Sequence, residues 1–464
     1  MKSLFPALLI FLIIEQVSSS RDSFSYCLPS NTSCWPNQAH WDILKSRISH
    51  KKLHYIGDSS QYDGKCKVAG NDPYRLENEG HGRCMQYHDC SKVKCNENAE
   101  WNLPVYSVEA STEEDVIEAL RFANRHDLQV VVKTTGHSFA GSSTADGALL
   151  IWMRNFRKFG EITESFKKCG RTYRAAMKVG GGQVWGEVYR EVEPHYHIVG
   201  GGGAFSVSAA GGWLMGGGLS TTSRLYGMGI DNVLEFEVIL ADGSKVVASA
   251  CQNEDLFWGL RGGGGGSFGV VSSVQYKLHK RKDFCEVKFA IPNFPAASSM
   301  DLARRWMELI IDSAPSLPSR WGGYWFLGGA QLYYRGSQPQ LEGEKFLGQM
   351  KSLGVQLELH CAGSYLKSRH GDDLTTAEDT GYDNLYIGSR VIPSDLVQNN
   401  PDKMKQIFAT MLTTISNSSD IGNLRGTYVF SYLVGGKMTK VGRHSTAVHP
   451  ANRRGPRSLL HPPI

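Results

Sequence analysis

The stretch Val130-Val131-Val132-Lys133-Thr134-Thr135-Gly136-His137-Ser138-Phe139-Ala140-Gly141-Ser142-Ser143-Thr144 reads as a short buried β-strand. It runs directly into a loop of small and hydroxyl-bearing residues around one histidine. Val130, Val131 and Val132 are β-branched and suit a strand. Thr134, Thr135, Gly136 and Ser138 leave N–H groups and hydroxyls uncovered, so an anion such as a pyrophosphate can approach closely. His137 is the one side chain of this loop able to act as a base or nucleophile near neutral pH. Taken alone, the loop is more economically a tight turn holding a hydrogen-bonded histidine. Its neighbours along the chain reverse that preference.

On the amino side, Ser111-Thr112-Glu113-Glu114 predicts a capping box, with the Ser hydroxyl and the Glu carboxylate serving the first amides of a helix. Val116, Ile117, Leu120 and Ala123 then share one helical face, and His126-Asp127 ends it. Helix, strand and loop form an α/β unit whose loop sits at the strand's carboxyl end, where ligands usually bind. Leu149 to Met153 is the next strand. Met177 to Trp185 is a strand that enters a glycine turn (Gly180-Gly181-Gly182) and then a helix.

Residues 200–220, GGGGAFSVSAAGGWLMGGGLS, form a second centre. So much Gly, Ala and Ser is costly to order unless something packs on the exposed backbone. A flexible linker would lack the bulky Phe205, Val207, Trp213, Leu214, Met215 and Leu219, so the run is read as folded. Asp231 to Leu240, a turn at Ala241-Asp242-Gly243-Ser244, and Lys245 to Val247 predict a hairpin. Gly264, Gly266 and Gly269 fit G-x-G-x-x-G. However, a helical piece precedes them and a strand follows, the reverse of a nicotinamide dinucleotide fingerprint.

Composition bounds the rest. A length of 464 residues, 41% hydrophobic and 20% charged, is that of a globular chain with a large core. A net charge of 50 − 45 = +5 is too mild to argue for nucleic acid. Met1-Lys2, the apolar Leu4 to Ile14 and Ser18-Ser19-Ser20 have the three parts of a secretory signal, assigned to residues 1–20. No later stretch predicts a membrane span. Secretion or the ER lumen follows, and it suits the ten cysteines and the sequons Asn31-Thr32-Ser33 and Asn417-Ser418-Ser419.

Residues 21–98 form a polar segment with Cys27, Cys34, Cys66, Cys84, Cys90 and Cys95. Disulfides are expected there, with the pairing left open. A metal site of Cys84, Cys90 and Cys95 with His81 or His88 matches no zinc spacing, so no metal is expected. Beyond Lys280 the texture changes. Ser299 to Ile311 predicts a helix, and Trp321 to Tyr334, Val355 to Cys361 and Gly426 to Val434 predict an aromatic-rich antiparallel sheet. That sheet is either a substrate wall or simply a packed core.

The order of strand and TTGHS loop, strand and glycine turn, GGGAFSVSAAGGWLMGGGLS, ADG hairpin and RGGGGGSFGVV resembles the FAD-linked oxidases of the vanillyl-alcohol-oxidase fold. These have a PCMH-type FAD domain, and the branch is that of berberine bridge enzyme-like and oligosaccharide oxidases. The resemblance is strong from about Trp101 to Leu278 and looser from Lys280 to Pro450. It implies an α+β protein: two α/β subdomains binding FAD (99–282), and a substrate domain with an antiparallel sheet backed by helices (283–450). A divergent tail, 451–464, is expected to lack structure.

The same resemblance implies that Thr134, Thr135, Gly136 and Ser138 hold the pyrophosphate and that His137 is bonded to the flavin 8α-methyl. Gly211, Gly212, Gly216, Gly217 and Gly218 would line the cofactor, with Val270 near its adenine or ribose. Some relatives carry a second, cysteinyl link. Here Phe205 aligns with that position and no cysteine lies between Cys169 and Cys251, so a single histidyl link is expected.

The implied reaction is oxidation of a hydroxylated small molecule, a sugar or alcohol, with O2 as acceptor and hydrogen peroxide as product. The glutamate base of that branch has no counterpart in Tyr428 to Gly436. Tyr432 is the candidate base in its place, on condition that neighbours lower its pKa. A flavin dehydrogenase using another acceptor, and a non-catalytic protein on the same scaffold, are the alternatives. The second is motivated by the fourteen residues 451–464, which do not resemble the segment that follows in relatives.

Overall fold

The structure, a computed structural model, describes residues 26–56, 104–138, 142–156, 159–201, 205–294, 296–370, 390–391, 394–417, 430–432, 437–438, 446 and 459–460. The signal-like segment, Cys66, Cys84, Cys90, Cys95, His81 and His88 lie outside the described residues. So do the side chains of the Asn417 sequon.

Three sheets carry the chain. The first has strand order β1-β2-β4-β3, formed by β1 (Leu53–Tyr55), β2 (Tyr106–Glu109), β3 (Val130–Lys133) and β4 (Leu149–Trp152). β2 and β3 both run parallel to β4. Helices α1 (Gln38–Arg47) and α2 (Glu113–Arg125) cover it. Trp41, Val116, Phe122, Ile151 and Met153 share one apolar cluster there. Each large side chain so buried contributes about 1.5–3 kcal/mol.

The capping box lies one residue later than the sequence pattern predicts: Thr112 is the N-cap and Asp115 its partner. The reason is Asp115, whose carboxylate collects the amides of Ser49 at 2.6 Å, Ser111 at 2.8 Å and Thr112 at 2.9 Å. Burial works against its charge, yet those amides hold its carboxyl below the usual range.

The second sheet is antiparallel. It contains β5 (Phe159–Lys168), β6 (Arg171–Gly180), β7 (Tyr196–His197), β8 (Val233–Ile239), β9 (Lys245–Ser249) and β10 (Val270–Lys280), in order β5-β6-β10-β8-β9 with β7 on β10. Parallel strands are thus confined to the first sheet, because β5–β6 and β8–β9 are joined by tight turns too short for a crossover. Helix α3 (Trp185–Val192), the short α4 (Gly212–Met215) and α5 (Ser223–Tyr226) lie in this part. Phe205, Val207, Trp213 and Leu214 of the glycine-rich run sit in its core, so its described part, residues 205–220, is folded, as its bulky residues predict. Helix α6 (Glu254–Leu260) precedes Gly264-Gly265-Gly266, the context that disfavours a nicotinamide site.

The third sheet has order β14-β11-β13-β12-β16-β17-β15. Its strands are β11 (Phe284–Ala290), β12 (Trp321–Phe326), β13 (Gly329–Arg335), β14 (Gln356–Ala362), β15 (Arg390–Val391), β16 (Phe430–Tyr432) and β17 (Leu459–Leu460). One face meets α7 (Met300–Ser313), α8 (Pro339–Leu353) and α11 (Pro401–Asn417) through Trp306, Phe346 and Phe408. α9 (Tyr365–His370) and α10 (Ser394–Asn399) complete the helices. The α+β class with a helix-backed antiparallel sheet is therefore as expected. Within the tail, Leu459 and Leu460 pair with β16 and β15, an exception to the expected lack of structure.

Disulfides join Cys27–Cys34, Cys169–Cys251 and Cys285–Cys361. The first falls in the Cys-rich segment. The other two were not anticipated. Cys285 and Cys361 are direct partners in the β11–β14 register, a relation that appears only once the strands pair.

Candidate active site

The loop after β3 is held from three sides. Met153 N donates to Lys133 O at 2.6 Å, Trp152 Nε1 donates to Thr134 O at 3.0 Å, and Thr134 Oγ1 donates to Gly181 O at 3.2 Å. Gly136 has φ +81°, a left-handed turn that glycine adopts at no steric cost. Ser138 N donates to Gly136 O at 2.7 Å, and Ser138 Oγ accepts from Ser142 N at 3.1 Å. The loop closes on itself. Thr135 is half-buried within it.

His137 points to the second glycine run. Its Nε2 lies 2.8 Å from Ser206 Oγ, a contact between residues 69 apart in sequence. The residue is half-buried, and burial pushes its pKa down to about 4. The imidazole is therefore neutral at pH 7, the form in which a ring nitrogen has a lone pair for bonding to carbon.

A folded pKa below the unfolded value carries a sign for stability. Between about pH 4 and about pH 6.5 the unfolded chain binds a proton that the native chain refuses. His137 thus leaves stability intact above that window and removes it as pH falls through it. In flavin-free protein, the urea midpoint should drop more between pH 7 and pH 4.5 for wild type than for His137→Gln. Equal drops would refute this assignment.

The glycine turn is placed by a buried cation. Arg154, 1% exposed, donates from one guanidinium nitrogen to Gly182 O at 3.0 Å and from the other to Glu187 Oε1 at 2.9 Å. A Cβ at Gly182 would stand 2.3 Å from Met153 O and 2.5 Å from Phe156 O, so only glycine fits. Gln183 Oε1 accepts from Gly180 N at 2.6 Å. Val184 and Ser208 form a bridge, which brings the turn to the run that holds Ser206.

The remaining glycines continue from there. Gly211 precedes α4 beside Ser208, Gly212 and Gly216 are exposed, and Gly217 and Gly218 are buried. Gly264 N donates to Met215 O at 3.1 Å, which adds the third glycine run. Val270, by contrast, is buried in the first core with Ile239 and Phe156 and is not brought to the loop. Phe205 turns its ring into the core against Tyr189. Tyr432 lies on β16, its backbone paired with Tyr324 of β12, and its side chain lies outside the described part.

Two buried polar atoms beside this junction, Gln183 Nε2 and Ser208 Oγ, have no hydrogen-bond partner. Native proteins rarely leave such groups unsatisfied. A neutral histidine, exposed glycine backbone and the two unpaired polar atoms together fit a flat, phosphate-bearing cofactor. Sequence reasoning missed Ser206, Gln183 and Arg154. Ser206 and Arg154 are defined by partners distant in sequence, and Gln183 by a bond within the glycine turn that its residue type does not announce. Among the described residues no cluster of His, Cys, Asp or Glu could hold a metal ion.

Comparison with known proteins defines the class. Residues 104–249 match the FAD binding domain family. The VAO-type flavoprotein MtVAO713 from Myceliophthora thermophila C1 superposes with a TM-score of 0.76 at 24% identity, over 94% of this chain and 82% of that one. Residues 104–249 are thus similar to an FAD binding domain, and the chain has the fold of VAO-type flavoproteins.

Its relatives within that class are FAD-linked oxidoreductases. phmC of Phaeosphaeria nodorum is 36% identical over 238 residues, 50% of this chain and 53% of the relative. A chitooligosaccharide oxidase shares the fold with a TM-score of 0.60 at 19% identity, over 77% of this chain and 74% of that one. The chain spans about half to three fifths of the length of the first curated relatives it matches. Among the described residues no helix is long and apolar enough to cross a membrane.

Proposed function

We propose that the chain is an FAD-dependent oxidoreductase that oxidises a hydroxylated small molecule, a sugar or alcohol, with the flavin bonded to His137. The observation that carries this reading is the His137–Ser206 contact at 2.8 Å, made by an imidazole that burial keeps neutral. It joins the TTGHS loop to the glycine run. When bound, FAD supplies a two-electron acceptor for a substrate C–H, with O2 as terminal acceptor and hydrogen peroxide as product.

The chain's own residues do the rest. The Thr134 to Ser138 loop would hold the cofactor's pyrophosphate, Gln183 Nε2 and the Ser208 hydroxyl offer hydrogen bonds to its polar atoms, and Gly211 to Gly218 let backbone approach its rings. Ser206 orients the His137 ring. Tyr432 is assigned the base that takes the hydroxyl proton as the C–H is oxidised. The neighbouring chitooligosaccharide oxidase supports a sugar-like substrate. The disulfides support passage through an oxidising compartment, by secretion or in the ER lumen.

On a denaturing gel, wild type should keep yellow fluorescence with the polypeptide, and His137→Ala should lose it. A purified wild type with no flavin would sink the reading. Peroxide release, set against reduction of an artificial acceptor under argon, then separates oxidase from dehydrogenase.

A further inference from the structure

The face of the third sheet that turns away from the helices carries a connected polar row. On β11, Cys285, Val287 and Phe289 belong to the helix-backed core, so alternation puts Glu286 and Lys288 on the other face. In register, Glu286 faces Tyr333, Lys288 faces Gln331, and Gln331 faces Tyr324.

The Glu286 carboxylate is 3% exposed. One oxygen accepts from Tyr333 Oη at 2.8 Å and from Gln331 Nε2; the other lies 3.2 Å from Lys288 Nζ. Tyr324 Oη donates to Gln331 Oε1. The Gln331 amide is thereby oriented, its NH2 toward the carboxylate and its oxygen toward the phenol.

A buried charge is an expensive way to join strands that apolar side chains would join as well. This row also runs from a buried anchor to half-buried Gln331 and Tyr324 and exposed Lys288, so it opens to an approaching molecule. The face is the one that meets the segment after the glycine run. Gly322 abuts Thr221, Thr221 Oγ1 is 2.6 Å from Tyr365 Oη, and the Tyr365 ring lies 5.0 Å from that of Tyr333.

We propose that Gln331 and Tyr324 contact a polyhydroxylated substrate and that Glu286 is the positioning residue that holds them. The proposal rests on the flavoenzyme reading above and names which side chains select its substrate. Amide and phenol each donate and accept, which matches neighbouring hydroxyls that do the same. A substrate without them gives the fixed amide and phenol nothing in exchange for the water it displaces, and sites built for hydroxyls discriminate strongly.

The test is anaerobic titration of the flavin-loaded protein with cellobiose, xylobiose, chitobiose and benzyl alcohol, followed by flavin absorbance. At least one disaccharide should perturb or bleach the flavin. Tyr324→Phe and Gln331→Leu should raise its half-saturating concentration about tenfold or more, with bound flavin unchanged; Tm should hold in Tyr324→Phe and fall in Gln331→Leu, which takes a donor from the buried Glu286 carboxylate. The limiting reduction rate should stay within about threefold. Glu286→Leu should act likewise, and Glu286→Gln, which can still accept from Tyr333 and Gln331, should recover most of the loss. An unchanged half-saturation in Tyr324→Phe overturns the proposal. So does a flavin-loaded wild type that answers only benzyl alcohol, or no probe at all. Protein purified without flavin fails the underlying reading as well, which keeps the two failures distinct.

Discussion

Arg154→Ala is expected to cost about 3–5 kcal/mol of folding stability and to strip most of the bound flavin. The guanidinium is 1% exposed and has two duties. It pairs with Glu187 at 2.9 Å and holds Gly182 O at 3.0 Å. Removing it leaves the Glu187 carboxylate largely buried without its cation, which is the expensive way to break such a pair. It also frees the Gly180–Gly182 turn, whose Gly181 O is the acceptor for Thr134 Oγ1. The damage should therefore reach the histidine loop.

Urea unfolding and the ratio of flavin to protein absorbance measure the two effects. The double variant Arg154→Met with Glu187→Leu separates them. Without a lone charge, stability should largely return, while flavin content stays low because Gly182 still lacks its donor. A single variant as stable as wild type would show that the pair contributes nothing.

Much of the cofactor half was legible because its signals are local. β-Branched Val130 to Val132 announce the strand before the Thr134 to Ser138 loop, and the Ala241-Asp242-Gly243-Ser244 turn announces its hairpin. Order along the chain added more than any one motif. The resemblance rested on several weak signals in sequence, and the fold comparisons agree with it. What stayed hidden is defined by pairs distant in the chain. Arg154 follows a strand and reads as a surface residue, because a fully buried arginine is rare. Cys285–Cys361 needs the β11–β14 register. Glu286 alternates with apolar neighbours as any half-exposed strand residue does, and only pairing reveals the row behind it. Glu286 lies on β11, three strands from the β16 strand that carries Tyr432.

The sheet's seat on the cofactor half sets the second large effect. Gly322→Ala should cost about 3 kcal/mol or more, because the new Cβ would stand 1.9 Å from Thr221 O. That atom is backbone and cannot rotate aside, so β12 and the Thr221 segment must separate. Arg224 makes the separation costly. Its two terminal nitrogens donate to Trp321 O at 3.0 Å and Leu317 O at 2.8 Å. Burial already pulls its pKa down to about 10, a sign of how little water reaches it. Carbonyls drawn away from it would leave a buried cation without acceptors. Gly348→Ala is the matched control. It lies inside α8 with nothing within 4 Å of its Cβ, so helix propensity alone should stabilise the chain by up to about 1 kcal/mol. Paired urea curves should move in opposite directions. If Gly322→Ala unfolds at the wild-type midpoint, the close contact between sheet and glycine run is absent in solution, and the polar row of Glu286 loses its seat above the cofactor half.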